Sequence, residues 1–411
     1  MPDQPGCAEN WAKSGGKRMF EYVTAGESHG PQVTAIIKNM PSGLTLDKED
    51  IDEQLRRRQQ GYGRGGRMDI ESDSVEVKSG LRGGVTLGSP LTMIIENRDW
   101  ENWREVMAVF EKGDDKSART PEEKVTQPRP GHADLAGAIK YGFTDMRNIL
   151  ERASARETAA RTAVGSVCRE FLKNFGLRIY SHVIKIGSVE SEGFSGQSDI
   201  EDFFEAADDS ELRCVASEKE DKMKDLIDEW RQQGDSVGGV FEVVVTGVPA
   251  GLGSHVHWDR KLDGKLARAL MSIQAIKGVE IGAGFAGAER PGSEVHDEIY
   301  YDSSRGFYRK TNNAGGFEGG MTNGEYLKLK AAMKPIPTLA NPLATADFIS
   351  KEAEEAARER ADVCAVPSAS IVGEAVTAIE IARSFADKFG GDSMEEIERN
   401  CKNYWKYIRN L

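Results

Sequence analysis

The feature of this 411-residue chain that most restricts its fold is that it repeats part of itself. Gly26-Glu27-Ser28-His29-Gly30 leads through an apolar run to Pro41-Ser42-Gly43-Leu44. At an offset of 208, Gly234-Asp235-Ser236-Val237-Gly238 leads through Phe241-Glu242-Val243-Val244-Val245 to Pro249-Ala250-Gly251-Leu252, with six of nineteen positions identical and no gap. A second echo, at an offset of 236, pairs Gly80, Gly83, Gly84, Thr86, Gly88 and Leu91 with Gly316, Gly319, Gly320, Thr322, Gly324 and Leu327. Copies this far apart are no solenoid array and point to two β-rich halves related by a pseudo-twofold. Only the first copy carries a histidine, because Val237 stands where His29 stands. One half then keeps the chemistry and the other supplies framework.

Hydrophobic periodicity predicts strands at Gln32–Ile37, Ser74–Val77, Leu91–Ile95, Ile179–Ile186 and Phe241–Val245. It predicts helices at Lys48–Arg58, Asp134–Tyr141, Ala153–Phe175, Arg260–Ile276, Gly324–Met333 and Ala369–Phe385. The Ala153–Phe175 stretch, with Ala159, Ala163, Val167 and Phe171 on one stripe, suits a central packed helix. Strands and helices out of strict alternation indicate α+β, with a helical core sandwiched between two β-sheets. Residues 1–18 read as a flexible tail and 19–411 as a single domain with an acidic surface insertion near 190–220, followed by a short helix over Asp221–Gln233. Gly282-Ala283-Gly284-Phe285-Ala286-Gly287 satisfies a dinucleotide-binding spacing, but Pro291-Gly292 ends any helix at once, so a Rossmann site is rejected.

Net charge is −13, which argues against general affinity for nucleic acid or anionic lipid, and no apolar run approaches a membrane span. Five scattered cysteines without a CxxC pair fit a reduced, cytoplasmic setting and no structural zinc. In an acidic protein, local clusters of arginine are informative. Residues 56–67 hold five arginines, and Arg56 and Arg57 are explained by the dipole of a helix C-terminus. Arg64 and Arg67 lie instead on a glycine loop that can approach a ligand, and converging guanidinium forks imply an anionic substrate. Arg152 and Arg156 flank a predicted helix start, where Ser154 and Glu157 also resemble a capping box. His29 and His132 each sit in a short glycine turn accompanied by arginine, and histidine is the natural proton donor near neutral pH. His182 falls in a predicted strand, His296 in a polar loop, and the His255, His257 pair has no nearby metal-ligand pattern.

Taken together, GESHG at 26–30, RRRQxGYGRGxRM at 56–68, RPGHAD at 129–134, ERASARET at 151–158, SIQAIKGVEIG at 272–282, NNAGGFEGGMTNG at 312–324, KPIPT at 334–338 and ADVCAVPSASIVGEA at 361–375 resemble the chorismate synthase family. The resemblance runs from about Met19 to Phe385. It implies a carbon–oxygen lyase that converts 5-enolpyruvylshikimate 3-phosphate to chorismate by 1,4-anti elimination of phosphate, the last step of the shikimate pathway. It also implies reduced FMN with no net redox change, and a homotetramer. By resemblance, His29 donates a proton to the departing phosphate, His132 serves the reduced flavin, and Asp362 assists proton removal. Arg58, Arg64, Arg67, Arg129 and Arg156 hold the substrate's phosphate and carboxylates. FMN is held by Arg152, Ala153, Ser154, Gln274, Ala275, Gly319, Lys334, Pro335, Ile336, Pro337, Thr338 and Arg360. Two positions depart from the family pattern: Ala361 replaces a Ser or His, and Lys38-Asn39 replaces an acidic or hydroxyl residue followed by Gly. The 190–220 insertion is too small to house a flavin reductase, so a monofunctional enzyme supplied by an external reductase is expected. Two rival readings are an RNA-binding protein using the RGG-like loop and a flavin oxidoreductase with net hydride transfer, which would consume its reductant stoichiometrically.

Overall fold

The computed structural model describes residues 20–64, 73–110, 124–196, 199–358 and 362–411. The expected tail at 1–18, Arg67, Arg360 and Ala361 lie outside these residues.

The first half opens with β1 (Glu21–Ala25) and β2 (Gln32–Lys38), joined by the first histidine loop. Along β2 the residues Val33, Ala35 and Ile37 are buried, the period-two pattern of a half-buried strand. Asn39 follows at φ +63, a left-handed position that asparagine tolerates better than most residues and that accounts for its replacing glycine. Helix α1 (Lys48–Gln59) is capped by Asp47, whose side chain accepts the Glu49 N–H at 3.0 Å, and buries Ile51, Leu55 and Arg58. Then come β3 (Val75–Ser79), the small β4 (Leu81–Arg82) and β5 (Val85–Thr86) hairpin, and β6 (Leu91–Glu96). Four of these strands form an antiparallel sheet in the order β1-β2-β6-β3. Helices α2 (Trp100–Trp103), α3 (Asp134–Tyr141), α4 (Arg147–Ala153) and α5 (Glu157–Lys173) complete the half.

The second half repeats the plan. It contains β7 (Arg178–Ile186), β8 (Val189–Glu190), α6 (Ile200–Asp209), α7 (Ser217–Gln233), β9 (Gly239–Thr246), α8 (Leu262–Met271) and β10 (Ile276–Ile281). After the short helices α9 (Gly284–Gly287) and α10 (Gly292–Val295) and the hairpin of β11 (Ile299–Asp302) and β12 (Gly306–Arg309) come β13 (Phe317–Glu318), β14 (Met321–Thr322) and β15 (Leu327–Met333). A hairpin of β16 (Ala344–Ala346) and β17 (Ala353–Glu355) leads to α11 (Val366–Phe389) and α12 (Met394–Arg409). The second sheet runs β10-β15-β9-β7-β8.

Both echoes are structural. Ile37 pairs with Leu91 and Ala35 with Met93 in the first sheet, while Val245 pairs with Leu327 and Val243 with Leu329 in the second, so the two offsets carry one register onto the other. Thr86 Oγ donates to the Pro41 carbonyl at 2.6 Å and accepts the Leu44 N–H at 2.9 Å. Thr322 donates to Pro249 at 2.6 Å and accepts from Leu252 at 2.8 Å, the same bonds at the same offsets.

Helix α5 packs on β1, β2 and β6, α11 packs on β7 and β9, and the two helices pack on each other. Their approach depends on small residues: a Cβ at Gly165 would lie 2.4 Å from Ala375 Cβ and 2.8 Å from its carbonyl oxygen. Beside this contact sits Glu374, 1% exposed. It takes Arg57 of α1 at 2.9 Å, Arg169 of α5 at 2.5 Å, Arg213 at 3.4 Å and the Ser181 hydroxyl of β7 at 2.7 Å. Burial opposes its ionisation, but Arg57, Arg169 and Arg213 outweigh burial and bring the carboxyl down to about 2.

Mixed helix and antiparallel sheet make the chain α+β, as expected, but several expected elements are corrected. Gly324–Met333 is not a helix: Leu327, Leu329 and Ala331 alternate with Lys328 and Lys330, and this period-two pattern wins over the helix propensity of Leu, Lys and Ala. The Ala153–Phe175 helix breaks at Ser154, which is extended at ψ 149, and restarts at Glu157. Ser154 therefore does not cap α5, whose N-cap position is Arg156. Arg260–Ile276 is a helix only over Leu262–Met271, because Ile276 already opens β10. The acidic stretch after 190 is anchored by Phe194, Phe204, Leu212 and Cys214, all buried, and its helix α7 begins at Ser217, earlier than Asp221.

Gly165→Ala is expected to destabilise the chain by about 1–3 kcal/mol through overpacking, measured by denaturant titration. Glu374→Gln is expected to cost about 3–5 kcal/mol at neutral pH by leaving buried guanidiniums uncompensated. The folded carboxyl is depressed, so its contribution is present above the usual value of 4.5 and is lost as pH falls toward about 2. Acid titrations of wild type and Glu374→Gln should accordingly converge through that window.

Candidate active site

Loops from both halves meet in a cleft of about 540 Å³. Its floor is set by local sequence. The β1–β2 loop delivers Ser28 and His29, the C-terminal turn of α1 delivers Arg58, and the glycine loop after it delivers Arg64. The turn before α3 brings Arg129, Gly131 and His132, and the extended break between α4 and α5 brings Ala153, Ser154, Ala155 and Arg156. From the second half come Gln274 and Ala275 between α8 and β10, Lys277 in β10, Met333 at the end of β15 with Lys334, Ile336, Pro337 and Thr338 just after it, and Asp362 ahead of α11. Gly131 has φ +81, a left-handed conformation that glycine adopts without strain.

The cations are braced from behind by buried acids. Arg58 donates to Asp73 Oδ2 at 2.7 Å, and Arg156 pairs with the other oxygen of the same carboxylate. Burial raises the Asp73 carboxyl but Arg58 and Arg156 outweigh it, so the group stays ionised. Arg129 Nε reaches Asp134 at 2.8 Å and its Nη1 donates to the Thr338 hydroxyl at 3.0 Å, tying the two halves together. Asp134 also holds His132 Nδ1 at 2.5 Å. Its burial works against ionisation, yet the bonds from His132 and Arg129 carry it well below the usual carboxylate range. Glu151 does the same for His29, with its oxygens 2.9 and 3.0 Å from Nδ1. Arg64 and Asp362 pair across the cleft at 3.2 Å. Lys334 donates to the Gly131 carbonyl at 2.9 Å, and burial followed by the nearby Lys277 lowers its affinity for the proton.

The lining joins Arg58, Arg64, Arg129, Arg156, Lys277 and Lys334 to apolar side chains of Leu150, Met333, Ile336 and Pro337. That combination suits a flat apolar ring lying against a polyanion. Gln274 Oε1 is buried with no hydrogen-bond partner among the described residues, and so offers an acceptor to a ligand N–H.

Of the residues picked out by sequence, His29, His132, Asp362, Arg58, Arg64, Arg129, Arg156, Ala153, Ser154, Gln274, Ala275, Lys334, Ile336, Pro337 and Thr338 converge on the cleft. Three do not line it. Arg152 turns back to the Gly26 and Thr24 carbonyls at 2.9 and 3.0 Å and straps the first histidine loop. Pro335 faces an adjoining groove with Trp230 and Val237. Gly319 sits between β13 and β14 near His255. Sequence reasoning missed Asp73, Glu151, Lys277 and Met333. Glu151 and Lys277 lie inside quoted motifs and were open to discovery, whereas nothing near Asp73 signals its role.

The chorismate synthase family profile matches residues 20–386. A chorismate synthase of Geobacter metallireducens is 57% identical over 400 residues, covering 96% of this chain and all of that protein. One from Aquifex aeolicus is 52% identical over 400 residues, covering 96% of this chain and 99% of that protein. A crystal structure of chorismate synthase superposes with a TM-score of 0.77 at 44% identity, covering 96% of this chain and 100% of that one. The chain belongs to the chorismate synthase family. It is accordingly a lyase, and the cleft just described is where a chorismate synthase of this sequence gathers its histidines and arginines. In this family member Arg58→Lys should raise KM about tenfold in a phosphate-release assay, because a lysine lacks the planar fork that Asp73 braces at the cleft wall.

Proposed function

We propose that the cleft binds 5-enolpyruvylshikimate 3-phosphate against reduced FMN and eliminates phosphate in the 1,4-anti sense to leave chorismate. The observation that carries this reading is the convergence of four braced arginines and two carboxylate-backed histidines on one cleft with an apolar wall. Arg58, Arg64, Arg129 and Arg156, with Arg67 from the same glycine loop, hold the substrate's phosphate and carboxylates. Concentrating cations there neutralises the charge that develops as the C–O bond breaks. His29 delivers a proton to the departing phosphate. His132, held by Asp134, would serve the reduced flavin when it is bound, and Asp362 would assist removal of the substrate proton.

When bound, reduced FMN supplies electron density that weakens a C–O bond no side chain here can activate. Ala153, Ser154, Gln274, Ala275, Lys334, Ile336, Pro337 and Thr338 would hold it, and the unpartnered Gln274 Oε1 matches an N–H on its ring. Arg152 and Pro335 would support the same walls, and Arg360 belongs to the same expected cofactor set. Gly319, the other expected contact of the flavin, does not line this cleft, and a homotetramer is the assembly that the family implies. We also assign the two sheets to a duplicated pair related by a pseudo-twofold, sandwiching the helical layer. A cytoplasmic setting and an external NADPH-dependent reductase that supplies the reduced flavin belong to the same proposal.

Anaerobic assay with dithionite-reduced FMN should release phosphate from the substrate, and His132→Ala should lower kcat about 10²-fold. Unchanged turnover in that variant would remove the assignment of His132. Turnover from NADPH and oxidised FMN with no other reductant would remove the external reductase.

A further inference from the structure

The first histidine is held far more tightly than proton donation alone requires. Both oxygens of Glu151 lie within hydrogen-bond distance of His29 Nδ1, at 2.9 and 3.0 Å. Glu151 Oε2 also accepts the backbone N–H of His29 at 2.8 Å, and the Glu151 carbonyl accepts the N–H of Ser28 at 3.0 Å. One residue of α4 thus fixes both the loop backbone and the ring torsion. The face of the imidazole is covered as well: the Trp103 ring stacks on it with centroids 3.8 Å apart and planes 28° from parallel. Arg147, one turn before Glu151 on α4, closes the arrangement by donating to Glu151 at 3.2 Å and lying 5.2 Å over the Trp103 ring. Glu151 is only 2% exposed.

An ionised carboxylate only accepts hydrogen bonds, so Nδ1 must carry the proton, and Nε2 is the nitrogen not engaged by Glu151. We infer that Glu151 is a positioning residue that fixes His29 in the Nδ1–H form, with Trp103 clamping the ring face. The neutral ring then takes its second proton on Nε2, and that N–H bond is the one that breaks as an O–H bond forms on the departing phosphate. The ring returns to neutral Nδ1–H without reorienting. The inference rests on the proposed role of His29 as donor.

The test uses the full-length chain, with Glu151→Gln and Glu151→Ala compared with wild type and His29→Ala. In ¹⁵N-histidine spectra the neutral His29 ring should be Nδ1–H in wild type and in Glu151→Gln, whose amide oxygen still accepts. It should move toward Nε2–H, the form an unconstrained histidine side chain prefers, in Glu151→Ala. Under reduced FMN, kcat should fall about tenfold in Glu151→Gln and about 10²-fold in Glu151→Ala, with KM within about threefold of wild type. An unchanged tautomer or unchanged kcat in folded Glu151→Ala overturns the inference. Should that variant fail to fold, wild-type kcat in Glu151→Gln overturns it instead. Wild-type turnover in His29→Ala defeats the donor role of His29 separately, since the tautomer readout still decides whether Glu151 positions the ring.

Discussion

A single buried carboxylate organises this fold. Glu374 lies in the middle of α11 and receives guanidiniums from α1, α5 and the segment ahead of α7, together with a hydroxyl of β7. Burying one such charge costs several kcal/mol unless it is well paired, and here three cations compete for it. Its neighbour Ala375 meets Gly165 of α5 at a distance that no larger residue permits. Electrostatics and close packing therefore fix the same crossing of α5 and α11. The cleft inherits that precision, because the starts of both helices form part of its wall.

The same logic recurs at smaller scale within the cleft. Asp73 holds Arg58 and Arg156, Asp134 holds Arg129 and His132, and Glu151 holds His29. Each acid is buried behind a basic group that lines the cleft. A flexible basic side chain would lose conformational freedom on meeting an anion; one already braced by an acid has lost it during folding. Preorganised charge of this kind acts on a developing anion without rearranging at the moment of reaction.

Much of this was legible in the chain itself. The two glycine echoes foretold paired sheets because glycine at fixed spacing marks turns and close approaches, and the strand registers follow both offsets. The histidine and arginine loops were legible because glycine beside a basic residue has few structural explanations. What was hidden depends on distance or on local conflict. The pairing of His29 with Glu151 spans 122 positions, and that of Arg156 with Asp73 spans 83, separations across which periodicity carries no information. Leu327–Met333 was hidden by good helix formers arranged with a strand's period. The break at Ser154 was hidden because its flanks are helical and only tertiary contact pulls the three-residue bridge into the cleft.

At the offset of 208, Arg152-Ala153-Ser154 corresponds to Arg360-Ala361-Asp362, and Arg156 corresponds to Cys364. Ser154 and Asp362 both line the cleft, whereas Cys364 is buried and free. Two identical chains meeting on a twofold would have to present the same side chain from both sides, since symmetry repeats every change. A chain that contains both copies is released from that obligation. One copy can keep a cation and a hydroxyl while the other keeps a carboxylate, so the cleft receives different groups from its two halves.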